Sequence, residues 1–297
     1  MKALKLPMAD NFPELRKAGM ARKKLNPYAL LRRIRIQKPV VHHLTNWVTI
    51  YDCANVVKVL GGSPVMAHAQ EEVAQMTEIA SALVLNIGTL TVELVEAMKA
   101  AGRSANDHDI PVVLDVCGAG ATDLRDEAVR QLLDEVRIDI IKGNASEIAR
   151  LNGEAVKTRG VDACRVGKDM AAVAGELARE RQCTVVVTGK EDVVAGEKSF
   201  FLIKNGHPLM NHVVGTGCMA ASVIGAFAAV EADLTYAAAA GLICYEVAAE
   251  CAARESAGPG TWKEKLFDCL YHLDKKTIQR LQKVEICEDS ISLPTRA

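Results

Sequence analysis

Ala82-Leu83-Val84-Leu85-Asn86-Ile87, closed by Gly88, is a short apolar run with one polar residue near its end. A run of this length stopped by glycine reads as a buried strand. Because it is apolar at successive positions, both of its faces need cover, as in a parallel sheet between two helix layers. The pattern recurs downstream. Pro111-Val112-Val113-Leu114 ends at Asp115, Ile138 to Ile141 ends at Lys142-Gly143-Asn144, and Thr184-Val185-Val186-Val187 ends at Thr188-Gly189. Helical periods separate the runs. Residues 124–136 place Ala128, Leu132, Leu133 and Val136 on one face, and Met170, Val173, Ala174, Leu177 and Ala178 form a second amphipathic stripe. The alternation predicts an α/β fold with a mostly parallel central sheet and helices on both faces.

Upstream, Asn46 or Thr45 is placed to cap a helix that Gly61-Gly62 stops after Leu60, and Pro64-Val65-Met66 is a short extended piece. Downstream, residues 192–195 and 199–204 suggest a hairpin or meander. The C-terminal third is helical, with Thr261-x-x-Glu264 offering a capping box. Without repeats, low-complexity tracts or a Pro/Ser-rich linker, residues 28–285 are expected to form a single domain. Residues 1–27 are an N-terminal extension of no assigned role, and residues 286–297 a C-terminal tail.

Composition narrows the function. The 297 residues are 49% hydrophobic and 25% charged, with a net charge of −1. That balance is globular and gives no general attraction to nucleic acid or an anionic membrane. Aromatics at 4% leave little for base stacking. The basic cluster from Arg22 to Arg35 reads as an exposed amphipathic helix. Val213 to Val230 carries no charge but opens with glycines and is rich in small residues, which fits a buried helix behind a loop better than a membrane span. The nine cysteines contain no CxxC pair. They suit reduced thiols and a cytoplasmic location rather than a metal cluster or disulfide scaffold.

Four polar segments follow the apolar strands: Gly88-Thr89, Asp115 with Gly118-Ala119-Gly120, Lys142-Gly143-Asn144, and Thr188-Gly189. In an open α/β sheet all four face the crevice beyond the strands' carboxyl ends. The strongest element is Val213-Val214-Gly215-Thr216-Gly217-Cys218 running into an apolar helix. Its glycines allow a sharp turn, and the helix start adds unsatisfied N–H groups that suit a phosphoryl group. No Gly-Lys-Ser/Thr follows, so it is not a Walker A loop. Cys218 in the first helical turn is placed to take a proton from an alcohol, but the same position suits a small thiol chosen for packing. Asp115 has the chemistry to hold Mg²⁺ beside phosphate oxygens. Glu147 either serves the same ion or is a helix N-terminal acid stabilised by the dipole.

Taken together the segments resemble one family. Val41-His42-His43-Leu44-Thr45-Asn46, Gly62 to Ala69, Asn86 to Leu90, Asp115 with Gly118 to Thr122, Gly143 to Ile148, Thr188-Gly189 with Asp192, Asn205-Gly206-His207, Gly215 to Cys218 and Gly258-Pro259-Gly260 are similar to hydroxyethylthiazole kinase, in that family's order, over roughly residues 28–275. The resemblance implies a three-layer ribokinase-like fold, ATP and Mg²⁺ as co-substrate and cofactor, and 4-methyl-5-(2-hydroxyethyl)thiazole as acceptor, in thiamine salvage. It implies a homotrimer with sites at subunit interfaces. It places Met66, Asn46 and Gly215 at the thiazole and its alcohol. Lys142, Asn144, Thr188 and Gly217 fall at ATP, Asp115 and Glu147 at the metal, and Cys218 at the base position.

Three departures from the family pattern stand out, one being that roughly the first 25 residues match nothing in it. Lys142 replaces the usual arginine, keeping the charge without the bidentate fork. Asp115-Val116-Cys117 replaces Asp-Pro-Val, which is expected to loosen the backbone after Asp115. The rival functions are another ribokinase-like kinase for a pyrimidine or pyridoxal, a cysteine hydrolase pairing Cys218 with His42 or His212, and a ligand-binding protein without catalysis.

Overall fold

The computed structural model describes residues 25–153, 170–197 and 199–288. Each apolar run becomes a strand: β1 Val40–Leu44, β2 Ser63–Val65, β3 Ala82–Asn86, β4 Val112–Asp115, β5 Ile140–Asn144, β6 Thr184–Thr188, β7 Asp192–Ala195, β8 Ser199–Ile203 and β9 Val284–Glu288. Among the described residues they form one nine-stranded sheet in the order β2-β1-β3-β4-β5-β6-β7-β8-β9. The strands from β2 to β6 in that order pair parallel, and β7, β8 and β9 add on antiparallel.

The period-two geometry of a strand splits each run between two cores. In β3, Ala82 and Val84 join a core built largely on α1 Pro27–Gln37, α2 Ile50–Leu60, α8 Thr216–Ala228, α9 Leu234–Glu255 and α10 Pro259–His272. Leu83 and Leu85 face the other core, under α4 Val92–Asp107, α5 Asp123–Glu135, α6 Ala145–Leu151 and α7 Met170–Arg181. Short helices α3 Val73–Glu78 and α11 Lys275–Leu281 complete the described helices. The expected α/β sandwich, mostly parallel and covered on both faces, is what forms.

Local signals differ at four places. The cap of α2 is Thr49 rather than Thr45 or Asn46. Asn46 instead accepts hydrogen bonds from the Thr49 amide at 3.1 Å and hydroxyl at 2.9 Å, closing the turn before the helix. Gly258, not Thr261, precedes α10, and the Thr261 hydroxyl donates back to the Gly258 carbonyl. A true capping box lies elsewhere, at Asn144 and Glu147. Finally, β9 pairs with β8 along Val284–Glu288, so the sheet continues past residue 285 into the expected tail. At the other end Leu25 is buried and the Asn26 side chain caps α1, so the domain begins before residue 28.

The charge-free stretch from Val213 forms α8, buried along almost its whole length. Among the described residues α9 is the one helix long and apolar enough to cross a membrane, and 83% of its apolar window is buried inside the molecule. Of the basic cluster, Arg32, Arg33 and Arg35 are helical in α1, where Leu30, Leu31 and Ile34 face inward, while residues 22–24 lie outside the described residues. Arg35 donates to the carbonyls of Leu270, Tyr271 and Leu273 at the end of α10.

Candidate active site

Parallel strands bring their carboxyl ends to one edge, and three residues there lie side by side. Asn86 of β3 is in register with Asp115 of β4, which is in register with Lys142 of β5. All three are buried. The Lys142 ammonium lies 3.3 Å from Asp115 Oδ2, and the Asn86 amide donates to the same oxygen at 2.9 Å. Burial lifts the Asp115 carboxyl above its usual range, and Lys142 opposes the lift without cancelling it. Burial works against the Lys142 charge too, but Asp115 and then Glu147 outweigh it and hold the ammonium above its ordinary value.

The N-terminus of α8 sits over this row. Gly215 is its cap at φ +90°, a left-handed conformation that side chains resist, and a Cβ there would run into Thr49. Gly217 is glycine for a second reason: a Cβ would lie 3.1 Å from the Lys142 ammonium. Helix start and buried cation therefore approach each other closely, and both favour an anion between the strand ends and the helix.

Cys218, in the first turn of α8, joins the row through two amides. Asn46 donates to its sulfur at 3.2 Å and Asn86 at 3.4 Å. The Cys218 thiol is lowered to about 5. A hydrogen bond from the Cys117 thiol is the main cause, burial opposes it, and Lys142, Thr49 and Asn46 add to the lowering. Cys117 is pushed in the opposite direction, first by that same hydrogen bond and then by burial. The helix terminus is thus helped by neighbouring side chains in making Cys218 a thiolate.

Glu147 is built into the frame. One oxygen accepts from the Gly118 amide and the other from the Asn144 amide, each at 2.7 Å. The Asn144 side chain accepts from Ser146 and Glu147 amides in return, at 3.0 Å each. This capping box ties the Gly118–Gly120 loop to the start of α6 and meets the second of the two expectations for Glu147. Burial raises its carboxyl, with Lys142 and the two amides opposing. The loop after Asp115 is not loosened by Val116. Its amide, which proline would lack, donates to the Lys142 carbonyl at 2.9 Å and extends the β4–β5 pairing.

Asn46, Asp115, Lys142, Gly217 and Cys218 are therefore gathered at one place, with Glu147 behind them. Thr188 ends β6 on the same edge and donates to the Gly143 carbonyl at 3.4 Å. Met66 follows β2 at the edge of the sheet, half-buried, and no side-chain hydrogen bond joins it to the row. His42 spends its ring nitrogens on the Thr77 hydroxyl and the Ala67 carbonyl, at 2.9 and 3.0 Å. His212 is exposed in a 3-10 turn. The neighbours of Cys218 are amides, a hydroxyl and a thiol, so the thiol–imidazole pair that a cysteine hydrolase needs is not formed with His42.

Sequence reasoning assigned no role to Asn86, Cys117 or Arg125. A buried asparagine inside an apolar strand signals that its amide has partners to satisfy, and that signal was present for Asn86. Arg125 gave none. It sits in the first turn of α5 and donates to the carbonyls of Ile87, Cys117 and Gly88 at 2.7–2.8 Å, clamping two strand-end loops together.

Comparison with known proteins gives the same picture. The family model described as "Hydroxyethylthiazole kinase family" matches residues 31–276. A hydroxyethylthiazole kinase of Methanosarcina mazei is 52% identical over 255 residues, covering 86% of this chain and 98% of that protein. The solved hydroxyethylthiazole kinase of Pyrococcus horikoshii OT3 superposes with a TM-score of 0.80 at 38% identity, covering 88% of this chain and 99% of that one. A ribokinase-like superfamily protein of Enterococcus faecalis, at 13% identity and a TM-score of 0.56, shares the fold over 87% of this chain and 91% of its own. With the fold, the resembling segments and 52% identity across most of the chain all in agreement, this chain belongs to the hydroxyethylthiazole kinase family.

Proposed function

We propose that this chain transfers the γ-phosphate of ATP to the hydroxyethyl group of 4-methyl-5-(2-hydroxyethyl)thiazole, giving the thiazole phosphate for thiamine phosphate synthesis. The observation that carries the reading is the approach of the α8 N-terminus and Cys218 to the buried Asp115–Lys142 pair. Phosphoryl transfer needs little covalent help from a protein and much positioning and charge stabilisation. Lys142 and the Gly215–Cys218 amides surround the space where equatorial oxygens gain charge. The Cys218 sulfur takes the alcohol proton late in the transfer. Asn144, Thr188 and Gly217 bind ATP, Gly215 lies at the alcohol, and Met66 and Asn46 shape the thiazole pocket.

The donor set fits Mg²⁺. Asp115 offers a buried hard oxygen at the strand ends, and Mg²⁺ is commonly held by one or two carboxylates plus phosphate oxygens and waters. Asp115 would hold the ion, with Glu147 organising the loop beside it. When bound, the ion supplies charge neutralisation at the phosphates. We further read the chain as a cytoplasmic homotrimer. Trp47, Val48, Tyr51 and Val214 are exposed around the segments that carry Asn46 and Gly215, and a neighbouring subunit would cover them.

The test is coupled ADP release with ATP and Mg²⁺, run on the thiazole alcohol beside pyridoxal and a hydroxymethylpyrimidine. The thiazole should give the highest kcat/KM. A higher value with either other alcohol would overturn the assignment of substrate. Tight thiazole binding without ADP would leave a binding protein.

A further inference from the structure

We propose that Asn86 is a positioning residue for the transfer: its amide fixes the spacing between Cys218, which meets the acceptor alcohol, and Asp115, which meets the phosphate side. The inference rests on the kinase reading of the site. Asn86 ends β3 at 1% exposure, in register with Asp115. Its Nδ2 donates to Asp115 Oδ2 at 2.9 Å and to Cys218 Sγ at 3.4 Å. Its Oδ1 accepts from Asn46 Nδ2 at 3.0 Å and from the Gly88 amide at 2.9 Å.

The four partners fix the orientation of the amide. Reversed, it would turn its oxygen toward a carboxylate and a thiolate and its N–H groups toward two donors. A single neutral group thus donates to both the carboxyl and the sulfur and keeps each at hydrogen-bond length from a common atom. Asn46 is bound to the same Oδ1 and the same sulfur, so amide, thiol and pocket wall form one closed ring of contacts. An aliphatic side chain at the end of β3 would satisfy the strand equally well and give none of this.

Asn86→Asp exchanges only Nδ2 for oxygen and keeps the acceptor that Asn46 and Gly88 use. The expected result is a fall in kcat of about 10–100-fold, the worth of a hydrogen bond to a charged group, with KM for ATP and the thiazole little changed. The midpoint of the pH profile of iodoacetamide labelling at Cys218, read by peptide mass spectrometry without substrates, should move upward. Asn86→Ser, too short to bridge the two groups but uncharged, should move both readouts in the same direction. An unchanged kcat in either folded variant overturns the proposal, as does a loss confined to KM with unchanged labelling. Failure of both variants to fold, seen by circular dichroism, assigns Asn86 a structural role instead. If wild type releases no ADP with the thiazole, the function fails. An upward shift of the labelling midpoint in the variants would still show that Asn86 holds the thiol.

Discussion

Cys218 draws its low thiol value from four side chains at three other places in the sequence: Cys117 after β4, Lys142 on β5, and Thr49 and Asn46 before α2. The sign of its pH effect follows. A thiol whose folded value is depressed to about 5 stays ionised above that pH, and its proton-accepting ability is lost as pH falls through about 5. The part of kcat that depends on the Cys218 thiolate should therefore hold from neutrality down to about pH 6 and decline below it. Cys218→Ser should lower kcat by about 10²-fold, the modest end of general-base help, because positioning carries most of a loose transition state. Complete loss of turnover with ATP and thiazole still bound, measured by calorimetry, would give the thiol a larger part than this.

The start of α8 is decided by glycine. At φ +90°, Gly215 lets the chain turn from the exposed Val214 into the helix while its Cα lies against Thr49 of the preceding active-site loop. Alanine there meets both a left-handed backbone and a collision with Thr49. Gly215→Ala should lose roughly 2–4 kcal/mol of stability, as the sum of a backbone and a packing penalty, and urea unfolding measures it. A loss below about 0.5 kcal/mol, the range of a neutral surface change, would mean that the loop relaxes freely. The same element shows why some local signals mislead. Thr261-x-x-Glu264 has a capping-box spacing, but Pro259 at the first turn of α10 starts the helix earlier and leaves Gly258 as the cap. Asn144-x-x-Glu147 carries the working box because Asn144 also ends β5, so strand and helix meet at a single residue.

For the whole molecule, an apolar fringe of Trp47, Val48, Tyr51 and Val214 beside the site leads us to expect a trimer by analytical ultracentrifugation. Tyr51→Glu should shift it toward monomer and raise KM for the thiazole more than for ATP; a wild-type monomer with full activity would sink this expectation. Most of the architecture was legible in the residues. Apolar runs ending in Gly88, Asp115, Lys142 and Thr188 marked parallel strands, because a strand covered on both sides cannot alternate polar and apolar positions. The glycine turn into α8, our proposed phosphate cradle, was legible too, because glycine at a helix start answers a local steric need. What tertiary structure decided is the company each residue keeps. Register places Asn86, Asp115 and Lys142 side by side, although 56 residues of chain separate the first from the last. Pairing of β9 with β8 likewise joins elements far apart in sequence. Backbone preference and hydrophobic period act over a few neighbours and can be read along the chain. Electrostatic coupling and hydrogen-bond partnership act through space, so the ionisation of Cys218 and the role of Asn86 emerge only once the strands are aligned.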